Sequence, residues 1–403
     1  MSESSHTPRC CEEKRTLRFS LDVRPLQMSS RYQGTGVYCY NLIRSLMRVD
    51  LQNRYLLFQK HRRMWQELPL PPNFRTLPVQ RTFDQDQRWM PLLDQILTPL
   101  DLLRIRPDLH HAFSIHYDCA WLPCPLVLSI LDVIPLVFPE HYLQSGIRHR
   151  LLYRLARRAN HILTLSEHSR RDIHRYLRIP LEKITVTHAA ADPMFHPLLN
   201  LPETTEVLRK YGVERPYLLF VGGFTKKDPR KQISQLIEAY HALRTEGFDR
   251  FRLVLAGKLG DYSDILKREM VFSGSQQGVV FTGYVEDADL PHLYRAASCF
   301  VFPSLYEGFG LPPLEAISCG TPTIAYRNSS IPEVLGDAAI LLDGRDTRDL
   351  VAAMKAVLTQ PGMADELREK GLRQARKFTW EACARKTLGV YEEVASRSRD
   401  RKA

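Results

Sequence analysis

Short apolar runs alternate with amphipathic helical patterns along almost the whole chain, and this alternation limits the available folds more than any other feature. Residues 217–221 and 299–302 have the composition of buried strands. Between such runs, as in residues 233–240, apolar side chains recur at intervals of three and four, which is the period of one buried helix face. Repeated strand–helix–strand units favour parallel sheets, so the predicted fold class is α/β.

A proline-rich segment divides this pattern into two halves. Residues 192–202 contain three prolines and little periodicity, as expected of a linker between domains. The sequence therefore predicts two doubly wound domains with a ligand cleft at the carboxyl ends of their strands. The predicted boundaries are a flexible tail over 1–16, a first Rossmann-like domain over 17–200, a second over 201–378 and a terminal helix over 379–403.

The charge balance favours an anionic partner. The chain has 56 Lys and Arg against 45 Asp and Glu, a formal net charge of +11, which suits phosphorylated substrates, nucleic acid or acidic lipid alike. No apolar run reaches the roughly 18 residues that a membrane-spanning helix needs, and the eight cysteines contain no Cys-x-x-Cys pair. We expect a cytoplasmic protein with reduced cysteines and at most peripheral contact with the inner face of a membrane.

Residues 302–320 carry the most informative pattern for chemistry. A strand ends at Phe302, a glycine-containing loop follows, and two prolines then suit the first turn of a helix. The free N–H groups of such a helix start bind phosphate or polarised hydroxyls. Glu307 precedes the helix and Glu315 lies about one turn inside it, so the two acids can reach two parts of a hydroxyl-rich ligand.

The sequence Glu-Gly-Phe-Gly-Leu-Pro-Pro-Leu-Glu-Ala, which starts at Glu307, resembles the signature of the retaining glycosyltransferases of family 4, the group 1 glycosyltransferases of GT-B fold. The similarity extends over residues 18–395, and residues 380–391 resemble a closing helix that crosses back toward the first domain. The resemblance implies a retaining, metal-independent transfer of mannose or another hexose, without a cofactor, in cell-surface polysaccharide or glycolipid biosynthesis. The donor would be a nucleotide-diphosphate sugar and the acceptor a carbohydrate or a lipid-linked glycan, with no nucleic acid as partner.

The same resemblance assigns roles to individual residues. It implies that Lys231 and Arg230 hold the donor diphosphate and that Glu315 binds the ribose. Two cations at a helix start also suit a leaving group on which negative charge builds as the glycosidic bond breaks. Asp-Pro-Arg-Lys at this point favours GDP-mannose as donor, with UDP- and ADP-sugars open. The catalytic candidates are Glu307, Asp132 and Lys231, and the remaining donor-binding candidates are Gly34, Gly36, Gly223, Lys226, Val285, Gly308, Phe309, Gly310 and Leu311.

Some of these positions also have a purely structural interpretation. Lys226 and the adjacent Lys227 would fit a solvated charged pair. A tight turn alone would account for Gly34 and Gly36. Ser166 begins a Ser-Glu-x-Ser pattern similar to one that the family carries at its interdomain face, and a helix N-cap alone would explain it.

The first domain offers few polar candidates at the cleft. Leu131 stands where many members of the family carry His, which leaves Asp132 either to orient an acceptor hydroxyl or to cap a loop. His110 and His111 end another strand, where they either line the acceptor side or are buried structural histidines.

Two other functions stay open at this point. A sugar-nucleotide epimerase could use the same scaffold. A basic membrane-surface or nucleic-acid-binding protein is the second, because residues 148–158 form a basic amphipathic pattern that could lie on anionic lipid or form a solvated outer face.

Overall fold

The computed structural model describes residues 15–27, 34–59, 69–78, 90–117, 119–142, 146–198 and 200–400. The predicted tail, residues 1–16, falls outside this part of the chain except for its last two residues. The described strands form two parallel sheets flanked by helices, which confirms the α/β prediction. The chain passes from one sheet to the other between Val186 and Tyr217, where the proline-rich segment lies.

The first sheet has seven described strands in the order β3-β2-β1-β4-β5-β6-β7. The strand order reverses between β1 and β4, and a crevice opens at such a point beyond the carboxyl ends of the strands. The strands are β1 (Arg18–Asp22), β2 (Arg54–Gln59), β3 (Phe74–Pro78), β4 (Leu109–Ala112), β5 (Leu126–Ser129), β6 (His161–Thr164) and β7 (Ile184–Val186).

The second sheet has six described strands in the order β10-β9-β8-β11-β12-β13. Its order reverses between β8 and β11, so the loops after these two strands meet at the same crevice. Both strands have the bounds that their apolar runs predicted. The strands are β8 (Tyr217–Val221), β9 (Arg252–Ala256), β10 (Val279–Gly283), β11 (Cys299–Phe302), β12 (Thr323–Tyr326) and β13 (Ile340–Leu342).

Helices cover the faces of both sheets. The helices between the strands of the first sheet are α1 (Gly34–Val49), α2 (Met90–Ile105), α3 (Ile134–Val137), α4 (Pro139–Tyr142), α5 (Gly146–Ala156) and α6 (Glu167–Leu177). Those that follow are α7 (Leu201–Lys210), α8 (Ile233–Leu243), α9 (Asp261–Ser273), α10 (Leu290–Ala296), α11 (Leu311–Ser318), α12 (Ile331–Leu335), α13 (Thr347–Thr359), α14 (Met363–Ala375) and α15 (Trp380–Asp400). No helix in the described ranges is long and apolar enough to cross a membrane.

The last helix, α15, packs on the first domain although it follows the second sheet in the chain. Its Trp380 ring lies 6.1 Å from the Tyr38 ring of α1, and its Tyr391 ring lies 5.1 Å from the ring of Phe19 in β1. Tyr38, Phe19 and Tyr391 are fully buried. The helix therefore ties the second domain to the first through a shared apolar core.

His110 and His111 are buried inside the first sheet. His111 contacts the Tyr391 hydroxyl through Nδ1, and its Nε2 lies 2.8 Å from Ser129 Oγ. Burial lowers the pKa of His111 and lowers the pKa of His110 to about 4, so both rings stay neutral near pH 7. This environment favours the interpretation of both residues as structural histidines.

The two outermost described strands of the first sheet, β3 and β7, have no clear signal in the sequence. β3 contains Arg75 and ends at Pro78, and both residue types are common on strands that lack a partner on one side. β7 is only three residues long, which is too short to show an alternating pattern.

Replacing Tyr391 with Phe should destabilise the protein, because it leaves Nδ1 of the buried His111 without its partner. We expect the free energy of unfolding to fall by about 1–3 kcal/mol, measured by urea denaturation. The control is Tyr40→Phe in α1, where the ring is 37% exposed and the loss should stay below about 0.5 kcal/mol. Equal losses in the two variants would contradict this role of Tyr391.

Candidate active site

The loops that follow β8 and β11 meet at the cleft, where a lysine of one loop and a glutamate of the other form an ion pair. The Leu305 N–H donates to the carbonyl of Arg230 at 2.7 Å, which joins the two loops through their backbones. Lys231 Nζ donates to Glu307 Oε1 at 2.9 Å, and the hydroxyl of Ser304 donates to the same oxygen at 2.7 Å. The structure thus brings together Lys231 and Glu307, which are 76 residues apart in the chain.

Arg230 is almost entirely buried, and groups of both domains surround it. Its guanidinium donates to Asp228 at 2.6 Å, to the Tyr306 carbonyl at 2.7 Å and to the hydroxyl of Tyr142 in α4 at 2.8 Å. Burial alone would lower the pKa of Arg230, but the charges of Glu307 and Asp228 outweigh burial and raise it. In this arrangement Arg230 holds the cleft loops and links the domains, a role that its place in the motif did not predict.

Gly308 lies directly against the first domain. A Cβ atom at this position would lie 2.7 Å from Cβ of Asp132, closer than real Cβ contacts, and 3.1 Å from the carbonyl oxygen of Leu131, which is tighter than most of them. A residue without a side chain is therefore required for Asp132 to lie beside the loop of Glu307.

Asp132 itself has a structural and an electrostatic role in the cleft. Its Oδ1 accepts from the Ile134 N–H at 3.0 Å, which caps the loop as one of the two interpretations predicted. Burial raises the pKa of Asp132, the charge of Arg230 opposes this rise and the charge of Glu307 adds to it. The carboxyl group is thus coupled to both charged residues from the second domain.

The start of α6 holds the loop of Glu307 from the other side. The hydroxyls of Ser166 and Ser169 both donate to the carbonyl of Gly308, at 2.7 and 3.0 Å. Ser166 is also the N-cap of α6, because its Oγ accepts from the Ser169 N–H. The capping role inferred from the sequence is therefore present, and a contact between the domains is added to it.

Glu333, at the start of α12 in the second domain, binds the same helix end. Its two carboxylate oxygens accept from the Glu167 N–H at 2.9 Å, and Oε1 lies 2.7 Å from Nε2 of His188. These hydrogen bonds outweigh the effect of burial and lower the pKa of Glu333. The N-terminus of α6 is thus capped by a carboxylate from across the cleft, which the chain-local sequence pattern could not indicate.

The N-terminus of α11 leaves backbone donors free. Gly310 is the N-cap residue with φ +101°, a backbone conformation that favours glycine. The hydroxyl of Ser330 donates to the Phe309 carbonyl at 2.8 Å and orients the loop. Among the described residues, no backbone carbonyl accepts from the N–H groups of Phe309, Gly310 or Leu311. This cluster of donors can bind an anionic or polarised oxygen.

Glu315 lies inside helix α11, whereas Glu307 lies in the loop before this helix. Its carboxyl group accepts from the hydroxyl of Tyr294 at 3.0 Å. Burial raises the pKa of Glu315 to about 7, with the hydrogen bond from Tyr294 opposing the rise and the charges of Asp287 and Asp192 adding to it. Glu315 therefore changes its charge near neutral pH.

The remaining candidates have no contact that assigns them a role. Gly223 follows β8 with no atom within 4 Å of its Cβ position, and Lys226 is exposed. Gly34 and Gly36 lie in the first turn of α1, and Val285 is buried after β10. Their donor-binding roles stay predictions. No group of three or more His, Cys, Asp or Glu side chains in the described ranges is arranged to hold a metal ion.

The chain is similar to known families in both halves. Residues 205–377 match the family described as Glycosyl transferases group 1, and residues 32–194 match Glycosyltransferase Family 4. O-antigen chain mannosyltransferase B of Escherichia coli is 37% identical over 274 residues, which are 66% of this chain and 70% of that protein.

Two further similarities concern a longer protein and a solved structure. The serotype-specific mannosyltransferase WbdA of Escherichia coli is 31% identical over 322 residues, 76% of this chain but only 39% of its own length. Sucrose-phosphate synthase from Thermosynechococcus elongatus aligns with a TM-score of 0.73 at 18% identity, covering 94% of this chain and 100% of that chain. The structural similarity shows that the two share the same two-domain fold.

Replacing Gly308 with Ala should force the domains apart, since the added Cβ would collide with Asp132 and Leu131. We expect the radius of gyration, measured by small-angle X-ray scattering, to rise above the value of about 22 Å typical of a compact chain of this length. Gly34→Ala is the control, because no atom lies within 4 Å of that Cβ position. An unchanged radius in Gly308→Ala would show that the contact does not govern closure.

Proposed function

Because this chain belongs to the group 1 glycosyltransferases of family 4, which have the GT-B fold, we propose that it transfers mannose from GDP-mannose to a hydroxyl of a carbohydrate or lipid-linked acceptor. The chain is a glycosyltransferase. Two of its relatives are an O-antigen chain mannosyltransferase and a serotype-specific mannosyltransferase, which supports mannose as the sugar and a cell-surface polysaccharide as the product. The alternatives of an epimerase and of a binding protein without activity gain no support from these similarities.

The observation that carries the proposal is the assembly of Glu307, Lys231 and Asp132 at one point of the cleft. Oε1 of Glu307 is occupied by Lys231 and Ser304, whereas Oε2 lies 3.9 Å from Arg230 and accepts no hydrogen bond from a described residue. Oε2 can therefore accept from a hydroxyl of the donor sugar. The free N–H groups of residues 309–311 lie in the same loop and can donate to the other sugar oxygens.

Lys231 is the proposed partner of the donor diphosphate. Its ammonium group is only partly buried and, apart from Glu307, has no other ion-pair partner among the described residues. As the bond from the sugar to phosphate breaks, the negative charge on the leaving group grows, and a nearby cation stabilises this charge more in the transition state than in the ground state. Lys231 and the N-terminus of α11 supply this positive charge, so we propose transfer without a metal ion or a cofactor.

The proposed transfer retains the configuration at the anomeric carbon, as the family membership implies. The acceptor oxygen forms its bond to the anomeric carbon on the face from which the phosphate leaves, and the acceptor proton passes to the departing phosphate oxygen. Asp132 orients the acceptor hydroxyl in this proposal, because its side chain lies directly against Gly308 in the Glu307 loop. Closure of the domains around Gly308 excludes water, which would otherwise hydrolyse the donor.

The acceptor is proposed to reach the enzyme at a membrane. A lipid-linked glycan is confined to the bilayer surface, and the net charge of +11 favours contact with anionic lipid. We therefore propose peripheral contact with the inner face of the membrane and no nucleic acid as partner.

Donor binding can be tested by thermal unfolding with GDP-mannose, UDP-glucose, ADP-glucose and dTDP-glucose, each with and without EDTA. A ligand at about 100 times its dissociation constant adds about 2.7 kcal/mol of stability. We expect GDP-mannose to raise the unfolding midpoint, EDTA to have no effect, and Lys231→Gln to abolish the shift. Lys227→Gln, an exposed neighbour in the same loop, is the matched control.

The configuration of the glycosidic bond in the product tests whether the transfer retains the configuration of the donor sugar. An α-linked product from the α-linked donor, read by NMR, is expected, and a β-linked product would contradict the mechanism.

If none of the four sugar nucleotides shifts the unfolding midpoint, the proposed donor class is wrong.

Glu315 should make donor affinity depend on pH. Its pKa of about 7 means that the carboxyl group is neutral below this pH and ionised above it. Since the ionised form accepts hydrogen bonds from both ribose hydroxyls, affinity should rise with pH and weaken by up to about tenfold at one unit below the pKa. Calorimetric titration between pH 6 and 8 measures the slope, which Glu315→Gln should flatten while Glu238→Gln, exposed on α8, keeps it. A flat profile in the unsubstituted protein would exclude this role.

A further inference from the structure

Helix α2 has a row of apolar side chains on the side that faces away from the protein core. Its side chains Leu93, Ile96, Leu97, Leu100 and Leu103 are all exposed, with Ile96 61% and Leu100 50% accessible. These residues recur at intervals of three and four, so they form one continuous stripe along the helix. From the first to the last, the stripe is about 15 Å long.

Acidic residues are absent from this face among the described side chains. Asp94 points toward the domain, where it pairs with the buried Arg24 at 3.0 Å, and Asp101 is partly buried. The last outward residue of the helix is Arg104, directly after Leu103. The stripe therefore ends in a positive charge.

An arginine cluster, consisting of Arg18, Arg54, Arg75 and Arg104, adjoins this end of the helix. The four residues line a cavity of about 560 Å³ between the C-terminal end of α2 and the first residues of β1, β2 and β3. Arg54, Arg75 and Arg104 have no ion-pair partner in the described part of the chain, and no acidic residue lines the cavity. Asp108, which lines an adjoining cavity with Arg18 and Arg54, pairs with Arg399 at 3.4 Å. Unpaired like charges so close together repel one another, and an anion at this point would offset the repulsion.

The arginine cluster lies at the amino-terminal end of the first sheet, away from the cleft. Arg18 is in register with Arg54, and Leu56 with Arg75, so these residues share one face at the amino-terminal ends of their strands. The donor site lies beyond the carboxyl ends of strands in the other sheet. The cluster is therefore not part of the transfer site.

We propose that the outward face of α2 and the arginine cluster together bind an anionic membrane surface. A helix with an apolar stripe and adjacent basic groups lies in the plane of the interface, with the stripe among the acyl chains. The long arginine side chains reach the lipid phosphates from the end of the stripe. Exposed Leu51, which precedes the cavity residue Gln52, extends the apolar contact beside the cluster.

This orientation has a consequence for the acceptor. A helix that connects parallel strands runs roughly antiparallel to them, so the strands lie along the membrane when α2 does. The cleft at their carboxyl ends then opens along the membrane surface, where a lipid-linked acceptor is found. The purpose of the contact rests on the proposed function, whereas the contact itself can be measured without it.

The basic helix predicted from the sequence is the competing surface. Residues 148–158 coincide with α5 and the turn after it, and Arg154 and Arg158 are exposed there. The exposed apolar side chains that are described near them are fewer than on α2, with Leu151 alone in α5. Substitutions in α2 or the arginine cluster and substitutions in α5 can be made separately, and vesicle binding of each variant shows which surface contacts the membrane.

Cosedimentation with vesicles of phosphatidylglycerol and phosphatidylcholine, compared with phosphatidylcholine alone, tests the proposal. The unsubstituted protein should bind the anionic vesicles and be released by high salt. Arg54→Gln with Arg75→Gln should lower the partition coefficient roughly 25-fold, about fivefold for each guanidinium. Ile96→Ser with Leu100→Ser should lower it at both low and high salt, because it removes the apolar contribution.

Two double variants serve as controls. Arg154→Gln with Arg158→Gln in α5, and Arg209→Gln with Arg376→Gln in the second domain, remove the same charge elsewhere. Both should bind vesicles as the unsubstituted protein does. If the α5 variant alone loses binding, or if the α2 and cluster variants keep it, the proposed surface is wrong.

Donor binding in the same variants separates this inference from the proposed function. The α2 and cluster variants should keep the unfolding midpoint and the midpoint shift that GDP-mannose produces. A protein that binds anionic vesicles but no nucleotide sugar would defeat the proposed function alone. One that binds GDP-mannose but no vesicle would overturn the membrane surface alone.

Discussion

The contact between Gly308 and the first domain is the constraint on which the site depends. Asp132 and the Leu131 carbonyl fill the space where a side chain would lie, and two serine hydroxyls of α6 bind the Gly308 carbonyl from the other side. The adjacent Glu307 and its loop are therefore held at a fixed place relative to the first domain. The Glu307 loop and Asp132 can lie this close together because Gly308 has no side chain.

Polar groups of the first domain bind charged side chains of the second at the same boundary. Arg230 is enclosed by Asp228 and Tyr142, and Glu333 caps a helix of the other domain. Each charge would be costly in the closed state without its partner, because burial removes the solvent that stabilises it. A misplaced loop at this boundary would therefore leave Arg230 or Glu333 without a hydrogen-bond partner from the first domain.

The sequence predicted the parts of the site that lie within short segments. The pattern from Glu307 to Glu315 indicated a loop and a helix start, and the structure has α11 begin at Leu311 after the N-cap Gly310. The pairing of Lys231 with Glu307 follows from adjacent strands, and the strand order could not be read from the chain. The role of Glu333 likewise depends on a partner 166 residues away.

The sequence by itself determined the α/β class and the loops that form the candidate site, because hydrophobic period, glycine and proline act over a few residues. Only the tertiary structure decided which loops meet, that Arg230 links the domains, and that His110 and His111 are buried structural groups. It also decided that the apolar stripe of α2 faces outward, since a helical period shows that a face is apolar but not what covers it. The physical reason is the same in each case: burial and pairing are properties of the packed chain, and local sequence contains neither.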